Sequence, residues 1–158
     1  MSITVHEFDG ISCQFRIKPH EMPTMSTPTT TPNYATIRAF ALALRKNTLA
    51  IPSYQTHLGN LALVISPEVF LEVKDNRPFV APAKPGLADV NRTNTCALVE
   101  SSRQFTFQQH EYMKFQATNQ AIRNLILNAT DDKYIKTLKH KITSYANISP
   151  IIGKPTER

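Results

Sequence analysis

The side chains that most often carry catalysis or bind metals are few and scattered in this sequence. Five histidines and two cysteines share no spacing that would place them around one ion, and neither His-Glu-x-x-His nor a His pair at i and i+4 occurs. The histidines are His6, His20, His57, His110 and His140. The sequence therefore predicts no metal site.

Nucleophiles and phosphate-binding loops are equally hard to find. Asp131 and Asp132 could ligate a cation, but the N-terminus of a helix, which favours negative charge, explains two adjacent acids more simply. Four glycines leave little from which to build a phosphate loop, and no Ser, Thr or Lys has a recognisable activating partner. We therefore predict that the protein is not an enzyme and uses no cofactor and no small-molecule substrate.

Cysteine usage and hydropathy indicate where the protein resides. Cys13 and Cys96 fit neither a disulfide framework nor a zinc site, so we expect two thiols in a reducing compartment. No secretory signal is evident, and the longest apolar runs, such as residues 61–65, are far shorter than a membrane span. These features predict a cytoplasmic protein without a membrane partner.

Positive charge is concentrated at the C-terminal end. The formal net charge is +6, and residues 133–158 hold six Lys or Arg against one acid. Such a cluster can hold phosphates, which makes RNA a candidate partner. The candidate nucleic-acid-binding residues are Lys133, Lys136, Lys139 and Lys141. They are spread around their predicted helix, however, so a solvated helix face is the alternative.

Proline divides the chain. Most of the 11 prolines precede residue 86, against four glycines in all. Residues 1–32 are predicted to be a flexible N-terminal arm, because the Thr/Pro-rich end of this stretch has little to bury. Within the arm, Asp9-Gly10 between two short alternating stretches favours a hairpin. A helical domain is expected at 33–148, followed by a tail at 149–158.

Helix-start signals recur in the first half of that domain. Thr31 and Pro32 suit the N-cap and first position of a helix that ends before Pro52. Ser66-Pro67-Glu68 repeats the signal for a short helix through about Val73. Residues 54–65 remain ambiguous, and the prolines of residues 78–86 predict an extended loop.

The second half predicts a long helix from roughly residue 94 to 129. Apolar residues fall on the a and d positions of one heptad frame, at Leu98, Phe105, Tyr112, Phe115, Ile122, Ile126 and Ala129. Asp131-Asp132 should begin another helix, with Tyr134, Ile135, Leu138 and Ile142 as its apolar face, which forms an antiparallel hairpin with the first. The fold class is all-α.

The heptad seam could be ordinary core or a surface for self-association. At about 1.5 Å per residue, a helix of about 35 residues spans about 50 Å, whereas a successor of about 13 residues covers about 20 Å. The apolar residues left uncovered would be a partner surface. We expect that surface around Leu98, Phe105 and Tyr112.

Three segments resemble Gag-like proteins of copia-type LTR retrotransposons. They are PSYQTHLGNLALVIS at 52–66, PFVAPAKPG at 78–86 and AIRNLILNATDDKYIKTLKHKITSY at 121–145. The resembling motifs are His-x-Gly-x-Leu at His57, Gly59 and Leu61, the Pro-Phe-x-x-Pro-x-x-Pro-Gly loop, and Tyr-x-x-x-Leu at Tyr134 and Leu138. The resemblance spans residues 36 to 150, although the CCHC zinc knuckle of many Gag proteins is missing.

The resemblance implies a capsid-type protein that self-assembles around RNA. Assembly of this kind needs self-complementary helical surfaces and a basic region that faces the nucleic acid. Two other functions remain open: a small basic nucleic-acid-binding protein, and a helical protein–protein adaptor. The salt dependence of RNA binding separates them, because phosphate contacts release counterions.

Overall fold

The computed structural model describes residues 10–25, 29–86 and 95–136. Within these ranges the secondary structure is helical and no β-strand occurs, which confirms the all-α prediction. The α-helices are α1 (Tyr34–Ala50), α2 (Pro67–Val73), α3 (Thr95–Ala129) and α4 (Asp132–Ile135). Short 3-10 helices lie at Ile11–Gln14, Pro19–Glu21 and Leu61–Leu63. The predictions for Lys139, Lys141, Leu138, Ile142 and the tail at 149–158 lie outside the described residues.

Helix α1 begins two residues later than the sequence predicts. Asn33, rather than Thr31, is the N-cap, because its Oδ1 accepts a hydrogen bond from the Thr36 N–H at 2.9 Å. The Thr36 hydroxyl in turn accepts from the Asn33 N–H at 3.1 Å. This reciprocal capping box satisfies two otherwise unpaired donors, whereas a cap at Thr31 would place Tyr34 at the third helical position, where its side chain could not reciprocate. Pro32 therefore precedes the helix.

Helix α2 matches its prediction. It runs from Pro67 to Val73, and the Ser66 hydroxyl accepts from the Val69 N–H at the N-cap. Proline in the first turn has no N–H to lose, and Glu68 lies where the helix dipole favours an acid. Long helix α3 is also confirmed, since it begins at Thr95 and ends at Ala129.

The core gathers around α1 and the segment that follows it. Phe40, Leu44 and Ile51 from α1 and its C-cap are fully buried, as are Val64 and Phe70. Residues 54–65, which the sequence left ambiguous, form turns and one 3-10 helix, and they place Leu61, Leu63 and Ile65 in the same core. The apolar residues at the end of this segment are nearly continuous because the chain turns there and buries side chains that point in several directions.

Gly59 fits where a side chain could not. Its φ is +56°, and a Cβ would meet the Ile51 carbonyl oxygen at 2.5 Å and that of Thr48 at 2.8 Å. This close approach lets Asn60 satisfy both carbonyls, through its N–H to Thr48 at 3.0 Å and its Nδ2 to Ile51 at 3.2 Å. The His-x-Gly-x-Leu motif therefore closes the C-terminal end of α1.

Residues 10–25, which lie within the predicted flexible arm at 1–32, pack against the rest of the protein. Ile11 and Phe15 are 3% exposed and belong to the core, and residues 11–14 form a 3-10 helix next to α3 where a hairpin strand was expected. The buried Asn47 accepts from the Ile17 N–H at 2.8 Å and donates to the Ile17 carbonyl at 2.9 Å. Met25 N–H donates to the Ala129 carbonyl at the end of α3. Residues 10–25 thus form part of the folded body.

Candidate interaction surfaces

Burial changes along α3. Its buried residues are Thr118, Ile122, Leu125 and Ala129, whose spacing of four, three and four residues defines one face of the C-terminal half. This face packs against the core. All four buried residues of this 35-residue helix lie at or after Thr118, and none lies before it. The N-terminal half therefore contributes little to the core.

Apolar side chains nevertheless continue along the N-terminal half. Val99 is 57% exposed and Phe107 is 50% exposed, while the predicted interface residues Leu98, Phe105 and Tyr112 are half-buried. Polar side chains in this part of α3 interact within the helix, as in the ion pair of Arg103 and Glu100 at 3.9 Å. We call residues 95–112 of α3 the projecting half.

The proline loop lies beside the projecting half. A depression of about 470 Å³ is lined by Lys84, Pro85 and Gly86 on one side and by α3 residues on the other. The α3 residues are Phe105, Gln109, Tyr112 and Met113. The structure thus brings Phe105 and Tyr112 together at one depression, while Leu98 lies seven residues before Phe105 on the same face of the helix.

A stack of aromatic rings fixes the start of that loop. Phe79 packs on Phe70 of α2 with ring centroids 5.9 Å apart, and on Phe115 of α3 at 5.8 Å. The Val80 carbonyl accepts from Gln55 Nε2 at 2.6 Å. The loop is therefore held in place, so the depression has a defined wall. Phe115, one residue of the predicted heptad seam, belongs to this packing rather than to a free surface.

An exposed aromatic pair was missed from the sequence. Tyr54 and Phe107 form an edge-to-face contact with centroids 5.3 Å apart, although they are 57% and 50% exposed. Phe107 lies outside the heptad frame that singled out Phe105, and Tyr54 is 53 positions earlier in an ambiguous segment. The one sequence signal for this pair is that Tyr54 and Phe107 are large aromatic residues that belong to no periodic apolar face.

The predicted lysine cluster is described only in part. Asp131 caps α4 by accepting from the Lys133 N–H at 2.9 Å, as expected for acids that begin a helix. Lys133 Nζ lies 4.8 Å from the Tyr134 ring centroid, and Lys136 is exposed at the helix end. RNA binding by these residues stays a prediction.

The described residues hold no cluster of three or more His, Cys, Asp or Glu side chains that could bind a metal ion. Asp131 acts as a cap, and Asp132 lies in the first turn of α4. His110 contacts its neighbour Glu111 at 3.6 Å. Among the helices that the structure describes, none has the length and apolar content needed to span a membrane.

Comparison with known proteins gives no relative. No protein-family model matches the chain, and no curated protein or solved structure shows significant similarity to it. The resemblance to Gag-like proteins therefore rests on the three sequence segments, and the surfaces of the molecule supply the remaining argument about function.

Proposed function

We propose that this protein is a self-assembling structural protein of the Gag capsid type, in which the projecting half of α3 contacts other copies. The observation that carries the proposal is the apolar character of a half-helix that lacks buried residues: Val99, Phe107 and the half-buried Phe105 lie along it. Exposed apolar area costs free energy in water, at about 25 cal/mol per Å², and a partner removes that cost.

Several features favour a second copy as the partner. The projecting half spans about 25 Å, it carries aromatic residues of the kind enriched at interfaces, and a fixed loop forms one wall beside it. A rigid helix of this length keeps its shape on association, so little conformational entropy is lost. The resemblance to Gag-like proteins adds a reason for repeated contacts between identical subunits.

Analytical ultracentrifugation tests the proposal. We expect the wild type to be oligomeric at micromolar concentration, and Phe105→Asp to dissociate it while its helical circular dichroism is retained. Phe107→Asp, on the side of the projecting half opposite to Phe105, should also weaken association, because its ring is half exposed and a charge there is tolerated in the monomer. Gln116→Asp is the matched control, since Gln116 is exposed on α3 outside the projecting half.

A wild type that remains monomeric across the micromolar range would overturn the proposal. If Phe105→Asp unfolds the protein, Phe105 is part of the core. Phe107→Asp is then the variant that tests whether the projecting half contacts other copies. Dissociation by Gln116→Asp to the same extent would show that any new charge on α3 acts nonspecifically. The projecting half would then lose its assigned role.

RNA is the second element of the proposal, because a capsid-type protein encloses nucleic acid. Lys133→Gln with Lys136→Gln should weaken binding to RNA of any sequence and reduce the slope of log K against log salt by about 0.7 for each phosphate that is no longer neutralised. Arg16→Gln with Arg77→Gln removes the same charge at two exposed positions elsewhere and is the control. Adding Lys139→Gln and Lys141→Gln extends the same test to the other two predicted residues. An unchanged slope would remove RNA binding from this region.

A further inference from the structure

We infer that a second contact joins copies of this chain, in which the exposed face of α1 in one copy binds the exposed face of α2 in the next. The inference rests on the proposed function, since it names surfaces that assembly would use. It is carried by charge complementarity between two exposed helix faces, and exposed aliphatic side chains lie on the first face and at the edge of the second.

The exposed face of α1 alternates basic and aliphatic residues. Arg38, Leu42, Arg45 and Leu49 follow one another at spacings of four, three and four, which places them on one stripe. The leucines are 46% and 43% exposed. The buried residues of α1 have other positions in the turn: Phe40, Ala43, Leu44, Asn47 and Thr48. This stripe is therefore not part of the core.

The α1 stripe has an unbalanced charge. Residues 34–50 contain Arg38, Arg45 and Lys46 and no acidic residue. Within the described part of the chain, none of these three cations forms an ion pair. A stripe with exposed leucines and uncompensated cations fits a partner surface that is both apolar and acidic.

Helix α2 offers a surface with those properties. Glu68 and Glu72 are one turn apart on one side of α2 and both are exposed, and Val73, the last residue of the helix and about 100° further round it, is 51% exposed. Lys74, the cation at the helix C-cap, is turned toward the body: its Nζ donates to the Gln55 carbonyl at 3.2 Å and lies 5.7 Å from the Phe70 ring centroid. The exposed side of α2 is thus acidic, with one aliphatic residue at its C-terminal edge.

The two faces belong to different elements, so the contact pairs unlike surfaces. In the inferred contact Arg45 pairs with Glu72, and Leu49, one turn from Arg45, covers Val73. Contacts between unlike surfaces can build rings or extended arrays from one kind of subunit, whereas a single self-complementary patch stops at a dimer. A capsid-type assembly needs contacts between unlike surfaces, because it contains many subunits.

Charge reversal tests the pairing in the full chain. Sedimentation equilibrium compares the wild type, Arg45→Glu, Glu72→Arg and the double variant. Each single change should weaken self-association about tenfold, because like charges then face each other, and the double variant should return to within about threefold of wild type. A mixture of the two single variants should also associate. Arg16→Glu reverses an exposed charge outside α1 and should have no such effect.

The outcomes separate this inference from the proposed function. If the double variant is as weak as the combined single variants, the pairing of α1 with α2 is overturned. If neither single variant weakens association while Phe107→Asp dissociates the protein, the pairing is overturned and the proposed function stands. If the wild type is monomeric, the proposed function fails and the pairing fails with it. Circular dichroism of each variant confirms that it is folded.

Discussion

The two halves of α3 belong to one continuous helix but have opposite surroundings. In the C-terminal half, Ile122 is 0% exposed and Leu125 is 5% exposed. In the projecting half, Val99 and Phe107 are 57% and 50% exposed. Both halves contain apolar residues at helical spacing, so helical periodicity alone did not decide which of them is buried.

The difference lies in what covers each half. The N-terminal segment packs against the C-terminal half, because Ile11 and Phe15 are buried in the same core as Ile122 and Leu125. The proline loop lies beside the other half and leaves an open depression at Phe105. Burial along α3 is therefore decided by segments far away in the sequence, and the part of the helix that extends past those segments keeps apolar residues such as Val99 and Phe107 exposed.

Ile122→Ala should give the largest effect on the C-terminal half. The side chain is 0% exposed, so its truncation removes buried methyl groups and leaves a cavity. We expect the free energy of unfolding to fall by about 2–5 kcal/mol. Urea denaturation followed by circular dichroism measures the decrease, with an m value close to that of wild type. A decrease below about 1 kcal/mol would mean that the two halves do not differ in packing.

Asn47→Ala should produce the next largest effect, because it releases the segment that covers the C-terminal half. The amide of Asn47 holds both the N–H and the carbonyl of Ile17. Leaving such buried groups unpaired costs about 1–3 kcal/mol. Limited proteolysis should then cut within residues 10–25 faster than in wild type. Gln108→Ala, at an exposed amide in the projecting half, is the control and should leave the cleavage rate unchanged.

Elements with local signals were predictable from the sequence. Ser66, Pro67 and Glu68 define the start of α2 because capping, ring geometry and helix dipole all act within one turn. The bounds of α3 were predictable because its 35 residues include neither proline nor glycine, the two residues that most disfavour a helix. At α1 the signal was also local but was assigned to the wrong residue, since Thr36 fills the place that Glu or Gln usually takes in a capping box.

Features that depend on distant contacts were not predictable. Ile11 and Phe15 lie in a short, polar-interrupted stretch, and their burial depends on α3, whose buried face lies about a hundred residues later. The heptad frame identified Ile122 and Ala129, but it missed the buried Thr118 and Leu125, because a straight helix drifts from a seven-residue repeat. Leu98, Phe105 and Tyr112 were assigned to an interface from helix length, and that assignment stays a prediction.

Amide hydrogen exchange sharpens the comparison without any substitution. At concentrations where the protein is monomeric, amides of residues 98–108 should exchange at least about tenfold faster than those of residues 118–128, a difference of about 1.4 kcal/mol in opening free energy. The reason is that opening the projecting half exposes no buried side chain. Raising the concentration should slow exchange selectively in the projecting half. Equal protection in both halves of the monomer would contradict the assigned difference.

Val99→Ala should have the smallest effect on stability and gives the strictest test of the comparison. The side chain is 57% exposed, so its truncation leaves no cavity, and Ala has a higher helix propensity than the β-branched Val. We expect the unfolding free energy of the monomer to change by at most about 0.5 kcal/mol, in the stabilising direction. The same substitution should weaken self-association in the ultracentrifuge, because it removes apolar area from the projecting half. A variant whose monomer is destabilised by more than about 1 kcal/mol would place Val99 in a packed environment, and a variant that is neutral in both measurements would exclude Val99 from the contact.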